Sequence, residues 1–168
     1  PEAYFTVLRD AFRLRYALIP YLYPQARRTY DTGVSLCHPL YYDYPESEEA
    51  YVYTGQYAFG DDMIVAPVVS PVDTVDHLAR QNIWIPPGEW IEWHTGAQLV
   101  GPREYSRSYT IEEVPVFVRA GAIIPMQPGM MHTGEKPVDP LMLTVFPGSE
   151  GTAKVYEDQG NSVAYQKG

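Results

Sequence analysis

The stretch Val114-Pro115-Val116-Phe117-Val118-Arg119-Ala120-Gly121-Ala122-Ile123-Ile124-Pro125 constrains the fold more than any other, because two apolar, largely β-branched runs meet at an Ala-Gly step. Runs this short, bounded by proline, read as two buried strands. Gly121 lacks a Cβ and so permits the bulge or sharp bend needed where a strand passes from one sheet to another. A small β-sandwich is expected, with its chain changing sheets at Gly121. Arg119 is the one charge in the run. Its guanidinium must reach an edge or pair with a carboxylate, since burying it unpaired is very costly.

The 168 residues, 45% of them hydrophobic, suffice for one domain or two small ones with a real core. A net charge of -9 repels phosphate, which argues against nucleic acid or an anionic membrane as partner and favours a neutral ligand. No apolar run approaches the roughly 18 residues of a membrane span, and residues 1 to 20 lack the basic start and cleavage site of a secretory leader. Cys37 is the single cysteine, which excludes an intramolecular disulfide and a Cys-rich metal site; it is expected to fill a small core position. His38, His77, His94 and His132 lack the short spacing of paired metal ligands, so neither a metal nor a cofactor is expected.

Residues 3 to 32 carry an apolar three-four spacing at Phe5, Leu8, Phe12, Ile19, Leu22 and Ala26, flanked by Tyr4, Val7, Ala11, Leu14 and Leu18. This predicts a long helix with an apolar band wide enough for burial on more than one side. Pro20 and Pro24 should kink or break it, and Gly33 should cap it. The segment 34 to 44 reads as a strand with Pro39 near an edge, and the acidic run from Glu46 to Glu49 as a loop or helix start. From Gln56 onward, short apolar runs punctuated by Gly and Pro predict β structure. The expected strands are 63–69, 81–85, 90–93, 105–111, 116–118, 122–124, 141–146, 152–156 and 162–166, with Pro86-Pro87-Gly88 and His94-Thr95-Gly96 as turns. Residues 126 to 140 read as a linker or long loop.

Adjacent acids at Asp61-Asp62 and Glu157-Asp158 invite a catalytic reading. Neighbours on a strand point to opposite faces, however, so neither pair by itself supplies the facing carboxylates of glycoside hydrolysis. A turn after Gly60 and a hairpin turn over 157–161 are the simpler assignments, and the latter lacks calcium-loop spacing. Trp84, Trp90 and Trp93 allow either a platform for sugar rings or cover for the core edges; Trp90 and Trp93 should lie on opposite sides of one strand.

Taken in order, six motifs resemble the C-terminal part of glycoside hydrolase family 31, the retaining α-glucosidases and α-xylosidases. Leu14-Arg15-Tyr16-Ala17-Leu18-Ile19-Pro20-Tyr21-Leu22-Tyr23 resembles the family's L-R-Y-x-L-L-P-Y-L-Y helix, and His38-Pro39-Leu40-Tyr41-Tyr42-Asp43-Tyr44-Pro45 its R-P-L-F-F-E-F-P strand. The run from Gln56 to Val68 is similar to Q-F-L-L-G-x-x-L-L-V-A-P-V, and Ile85 to Trp90 to L-P-P-G-x-W. Val114 to Pro125 resembles I-P-V-F-V-R-A-G-S-I-I-P, and Val155 to Gly160 resembles L-Y-E-D-D-G. His38 stands where the family has Arg, Pro24 is an extra helical proline, and Gln159 replaces the second Asp.

The resemblance implies a mainly β fold: residues 1–45 as the last helix and strand of a (β/α)8 barrel, 46–127 as a proximal β-sandwich, and 128–168 as a linker and the start of a distal β domain. It implies a parent enzyme that cleaves α-glycosidic bonds with an aspartate nucleophile and an aspartate acid/base, both on earlier barrel strands. No catalytic, cofactor-binding or metal residue carries over to this chain, which alone is expected to be inactive. Two functions from different classes remain. A non-catalytic portion of an α-glycosidase should show a sticky apolar helix face and no sugar affinity. An independent carbohydrate-binding β module should show a closed core and an exposed aromatic strip. Under the first reading Phe5, Leu8, Phe12, Leu18 and Leu22 lack most of their partners, and the chain is expected to self-associate.

Overall fold

The structure is a computed structural model, and it describes residues 2–135 and 137–167. Among the described residues two helices, α1 (Glu2–Ala17) and α2 (Ile19–Thr32), lead into eight strands, with a 3-10 turn (Leu40–Tyr42) and a short helix, α3 (Glu49–Val52), following the first of them. The strands are β1 (Cys37–Pro39), β2 (Tyr57–Phe59), β3 (Met63–Val65), β4 (Ala79–Glu92), β5 (Gln98–Tyr109), β6 (Val116–Arg119), β7 (Ile123–Met126) and β8 (Met142–Val145). Six form an antiparallel sheet in the order β1-β2-β3-β6-β4-β5, and β7 pairs with β8 in a second sheet.

Gly121 does what its position predicts. β6 belongs to the large sheet and β7 to the small one, and Gly121 between them has φ 85°. A Cβ there would lie 2.5 Å from the carbonyl oxygen of Glu150, so a side chain meets both a backbone strain and a wall. Arg119 escapes burial as expected, exposed on an otherwise largely buried strand, but without a carboxylate bridge: its guanidinium lies 4.7 Å over the Trp90 ring and donates to the Tyr44 hydroxyl at 3.3 Å. The exposed cation keeps its hydration while its stem and face use the indole.

The expected strands 81–85 and 90–93 are one continuous strand, and Pro86-Pro87-Gly88 is a bulge inside it, where the register shifts between Ile85 and Gly88. Proline withholds a ladder donor but does not end a strand that can bulge around it. The bulge bends the β4–β5 hairpin over itself, which makes two layers from one ladder. Ile83, Trp84, Ile85 and Tyr109 from one half thereby meet Trp90, Leu99, Ile64 and Phe117 in a single buried cluster. Gln56 closes an open edge in this cluster: its side-chain amide donates to the Trp84 carbonyl and accepts from the Trp84 N–H, both at 2.8 Å. That pairing satisfies two buried backbone groups that no strand reaches.

Met63, Ile91 and Val118 point to the opposite face of the large sheet. They form a second cluster with Leu18 and Tyr21 of the helices and with Ala122, Ile124 and Phe146 around the small sheet. The sheet is therefore buried on both faces, which explains why its central strands read as unbroken apolar runs. Trp90 and Trp93 fall on opposite sides as their spacing predicts, Trp90 in the first cluster and Trp93 against the second.

The helical region breaks at Leu18, just ahead of Pro20, and Gly33 caps α2 with φ 76° while its N–H donates to Thr29. Several local expectations fail. Pro24 lies inside α2 without ending it. Cys37 is exposed, because the alternation of edge strand β1 turns His38 inward and Cys37 outward. Residues 152–156 and 162–166 form no strands, and Ala164–Lys167 make a short 3-10 turn. With no strands flanking it, Glu157-Asp158-Gln159-Gly160-Asn161 is not a hairpin turn.

Candidate functional site

One acid of each pair, Asp61 and Asp158, is engaged by neighbouring residues. Gly60-Asp61-Asp62 forms the turn between β2 and β3 and sits on α2. The Tyr21 hydroxyl donates to the Phe59 carbonyl at 2.9 Å and accepts from the Asp62 N–H at 3.3 Å. Gly60 has φ 69°, and a Cβ there would lie 2.3 Å from the same hydroxyl oxygen, so glycine is required for this contact. Asp61 pairs with Arg28 at 2.7 Å. Asp62 is half-buried; burial and then the charge of Asp61 raise its pKa, and Arg119 offsets part of that rise.

The sign of the Asp62 shift makes a prediction. A raised carboxyl holds its proton in the folded state after the unfolded chain has released it, so stability falls as pH rises through the interval above the usual Asp value. Asp62→Asn should therefore leave the melting temperature unchanged in acid and raise it at neutral pH. Thermal melts at both pH values check this, and a neutral-pH melting temperature lowered by the substitution would contradict it.

Asp158 accepts from the Tyr23 hydroxyl at 2.6 Å, the Tyr156 hydroxyl at 2.9 Å and the Gly160 N–H at 2.6 Å. These donors, Tyr23 first, lower its pKa, and the same bond pushes Tyr23 up to about 12. Arg27 lies 5.1–5.5 Å from the ring centres of Tyr30, Tyr165 and Tyr156, which fastens the last residues onto α2. Among the described residues, no three His, Cys, Asp or Glu side chains are grouped so as to hold a metal ion.

Two features were not foreseen from the sequence. Glu92 is buried and accepts from Arg107 at 2.6 Å, Thr95 at 2.7 Å, Tyr109 at 3.1 Å and Tyr105 at 3.4 Å. Its signal was an acid inside Trp90-Ile91-Glu92-Trp93, matched by donors at alternate positions of one strand. The second is an aromatic group around the end of β1. His38 is buried, with Nδ1 2.9 Å from the Ser35 carbonyl and Nε2 2.9 Å from an Asp43 carboxylate oxygen. Tyr42 stacks on the His38 ring, Tyr41 meets Tyr42 edge-on, and Tyr51 of α3 stacks on Tyr41.

The helix face divides sharply. Leu18 is buried and Leu22 is partly buried against the second cluster, so these two have partners, contrary to expectation. Phe5, Leu8 and Phe12 of α1 are 62%, 60% and 57% exposed. On another side of α1, Val7, Ala11 and Leu14 face Phe59, Met63 and Trp93 across an apolar groove of ≈ 330 Å³.

Known proteins place this geometry. The sequence model described as "Glycosyl hydrolase family 31 C-terminal domain" matches residues 33–124. An alpha-xylosidase of Saccharolobus solfataricus is 32% identical over 100% of this chain, and alpha-glucosidase 2 of Bacillus thermoamyloliquefaciens is 28% identical over 99%. The chain spans 22% and 21% of the lengths of these two relatives. Among solved structures, a family 31 dextranase of Flavobacterium johnsoniae complexed with isomaltotriose aligns with TM-score 0.87 and 33% identity, covering 96% of this chain and 20% of that one. A family 31 alpha-xylosidase from Xanthomonas citri aligns with TM-score 0.78 and 33% identity, covering 93% of this chain and 16% of its own.

Proposed function

From the premise that this chain belongs to glycosyl hydrolase family 31, we propose that it is the non-catalytic C-terminal portion of an α-glycosidase and braces that enzyme's catalytic barrel. The parent hydrolyses α-glycosidic bonds with retention. In this reading residues 1–45 complete the barrel, 46–127 form the proximal sandwich, and 128–168 begin a distal unit.

The carrying observation is α1. Three large side chains that a globular domain would bury stand in solvent on a helix whose neighbour, α2, packs Tyr21 and part of Leu22 into the second cluster. Burying each contributes roughly 1.5–3 kcal/mol, which gives a partner surface ample driving force. The relatives, about five times longer, supply room for such a partner.

Retaining hydrolysis needs two carboxyl groups about 5–5.5 Å apart across the scissile bond. Asp61 is engaged by Arg28, and Asp158 by two tyrosines and a backbone N–H. The purified chain is therefore expected to turn over neither an aryl α-glucoside nor an aryl α-xyloside. Release of the aryl group, abolished by Asp61→Asn or Asp158→Asn, would overturn the proposal.

A further inference from the structure

The tyrosines at the end of β1 are exposed yet held in place. Tyr41 and Tyr51 lie face to face with ring centres 5.1 Å apart and 7° between their planes. Tyr42 meets Tyr41 edge-on at 5.3 Å and 60°, and its own inner face rests on His38 at 5.7 Å and 25°. His38 is fixed through both ring nitrogens, and the Tyr51 hydroxyl donates to the Pro45 carbonyl at 3.1 Å. Each ring thus has one side supported, while Tyr42 and Tyr51 remain 57% and 51% exposed.

A hydrophobic core does not require this arrangement. Leu40 and Ala50, the sequence neighbours of Tyr41 and Tyr51, already anchor the 3-10 turn over Leu40–Tyr42 and α3 in the first cluster. The tyrosines project from those anchors as flat faces at an angle to one another. Ordering rings before a ligand arrives removes the entropy cost of ordering them on binding.

We infer that Tyr42 and Tyr51, supported by His38 and Tyr41, form a binding platform for the pyranose rings of a neutral oligosaccharide. The C–H face of a pyranose presents weakly positive hydrogens to the negative face of an aromatic ring. Asp43, Glu46, Glu48 and Glu49 lie in the same segment and are all exposed, which makes this stretch of the surface acidic. Carboxylates accept hydrogen bonds from sugar hydroxyls and repel phosphate and other anions. A bound cation would need rings walled around an open centre. Here Tyr41 and Tyr51 fill each other's inner faces, which leaves outward planes and no box. The inference stands on the tyrosines and acids of this segment; sugar binding here would overturn the expectation that a bracing portion has no sugar affinity, while the brace itself rests on α1 and is tested separately. The apolar helix face and the aromatic strip, set out above as marks of rival functions, occur together in this chain.

The test is titration of the full chain with isomaltotriose and, separately, maltotriose, followed by chemical-shift changes of the tyrosine rings. The expected result is weak, saturable binding centred on Tyr42 and Tyr51. Tyr51→Ala should weaken it about ten-fold, the worth of one good aromatic contact. Tyr51→Phe keeps the ring but loses its anchor on the Pro45 carbonyl, and should bind more tightly than Tyr51→Ala. Both residues are on the surface, so the folded state is checked by the unchanged melting temperature of each variant. Absence of shifts at saturating trisaccharide, equal binding by Tyr51→Ala, or binding of choline in place of the sugars would each overturn the inference.

Discussion

Phe117→Ala should cost about 3–5 kcal/mol of folding stability, the range for emptying a fully enclosed aromatic site. Phe117 has no solvent exposure, pairs with Ile64 across the β3–β6 ladder, and meets Tyr105 edge-to-face with ring centres 6.0 Å apart. It therefore touches both layers: β6 belongs to the large sheet beside β3, and Tyr105 to the half of the hairpin beyond the bulge. Truncation leaves a void between two backbones tied by ladders on each side, so little collapse can fill it. Urea melts of the two proteins measure the difference, and a loss below about 1 kcal/mol would mean that the layers do not meet at this ring.

Removing Glu92 should do comparable damage for a different reason. This carboxylate at the end of β4 gathers Arg107, Tyr105 and Tyr109 from the far half of the hairpin, while Arg107 also bridges to Glu113. Glu92→Ala strips the acceptor from several buried donors at once, Arg107 keeping only its bridge to Glu113, and the unpaired donors should cost about 3–5 kcal/mol together. Acid should weaken the same clamp. Burial pushes the Glu113 carboxyl up, but the Thr110 N–H and Arg107 outweigh it and leave the pKa lowered. The stability from that lowered pKa is present above the unfolded carboxylate value and is lost as pH falls through the folded one. Chemical melts at neutral and acid pH check both statements, and a Glu92→Ala loss below about 1 kcal/mol would show that the bent hairpin holds without its clamp.

The legible parts of the fold were those fixed by neighbours in sequence. The sheet change at Gly121, the Gly33 cap and the opposite sides of Trp90 and Trp93 all follow from local backbone rules and from period two. The continuous β4 strand was hidden because Pro86-Pro87-Gly88 carries every mark of a turn, and only the partner strand decides between turn and bulge. Cys37 was misplaced because one residue of register on an edge strand exchanges inside for outside. Val155 and Tyr156 look like strand residues, yet Tyr156 here meets Tyr23 and Arg27 of α2 in place of a strand neighbour. The Glu92 cluster and the tyrosine platform were the least legible, since each joins residues from neighbouring elements through turns whose geometry the sequence does not announce. The family resemblance rested on motif order, which survives such bends.

The exposed face of α1 is the heart of the functional account, and sedimentation velocity of the chain over a range of concentrations tests it most directly. If Phe5, Leu8 and Phe12 are made to lie against a partner surface, the chain alone should associate into dimers or larger species as concentration rises. Replacing all three with serine should return it to a monomer without loss of the sandwich. A chain that stays monomeric at every concentration, with α1 helical and those three side chains in water, would contradict the account.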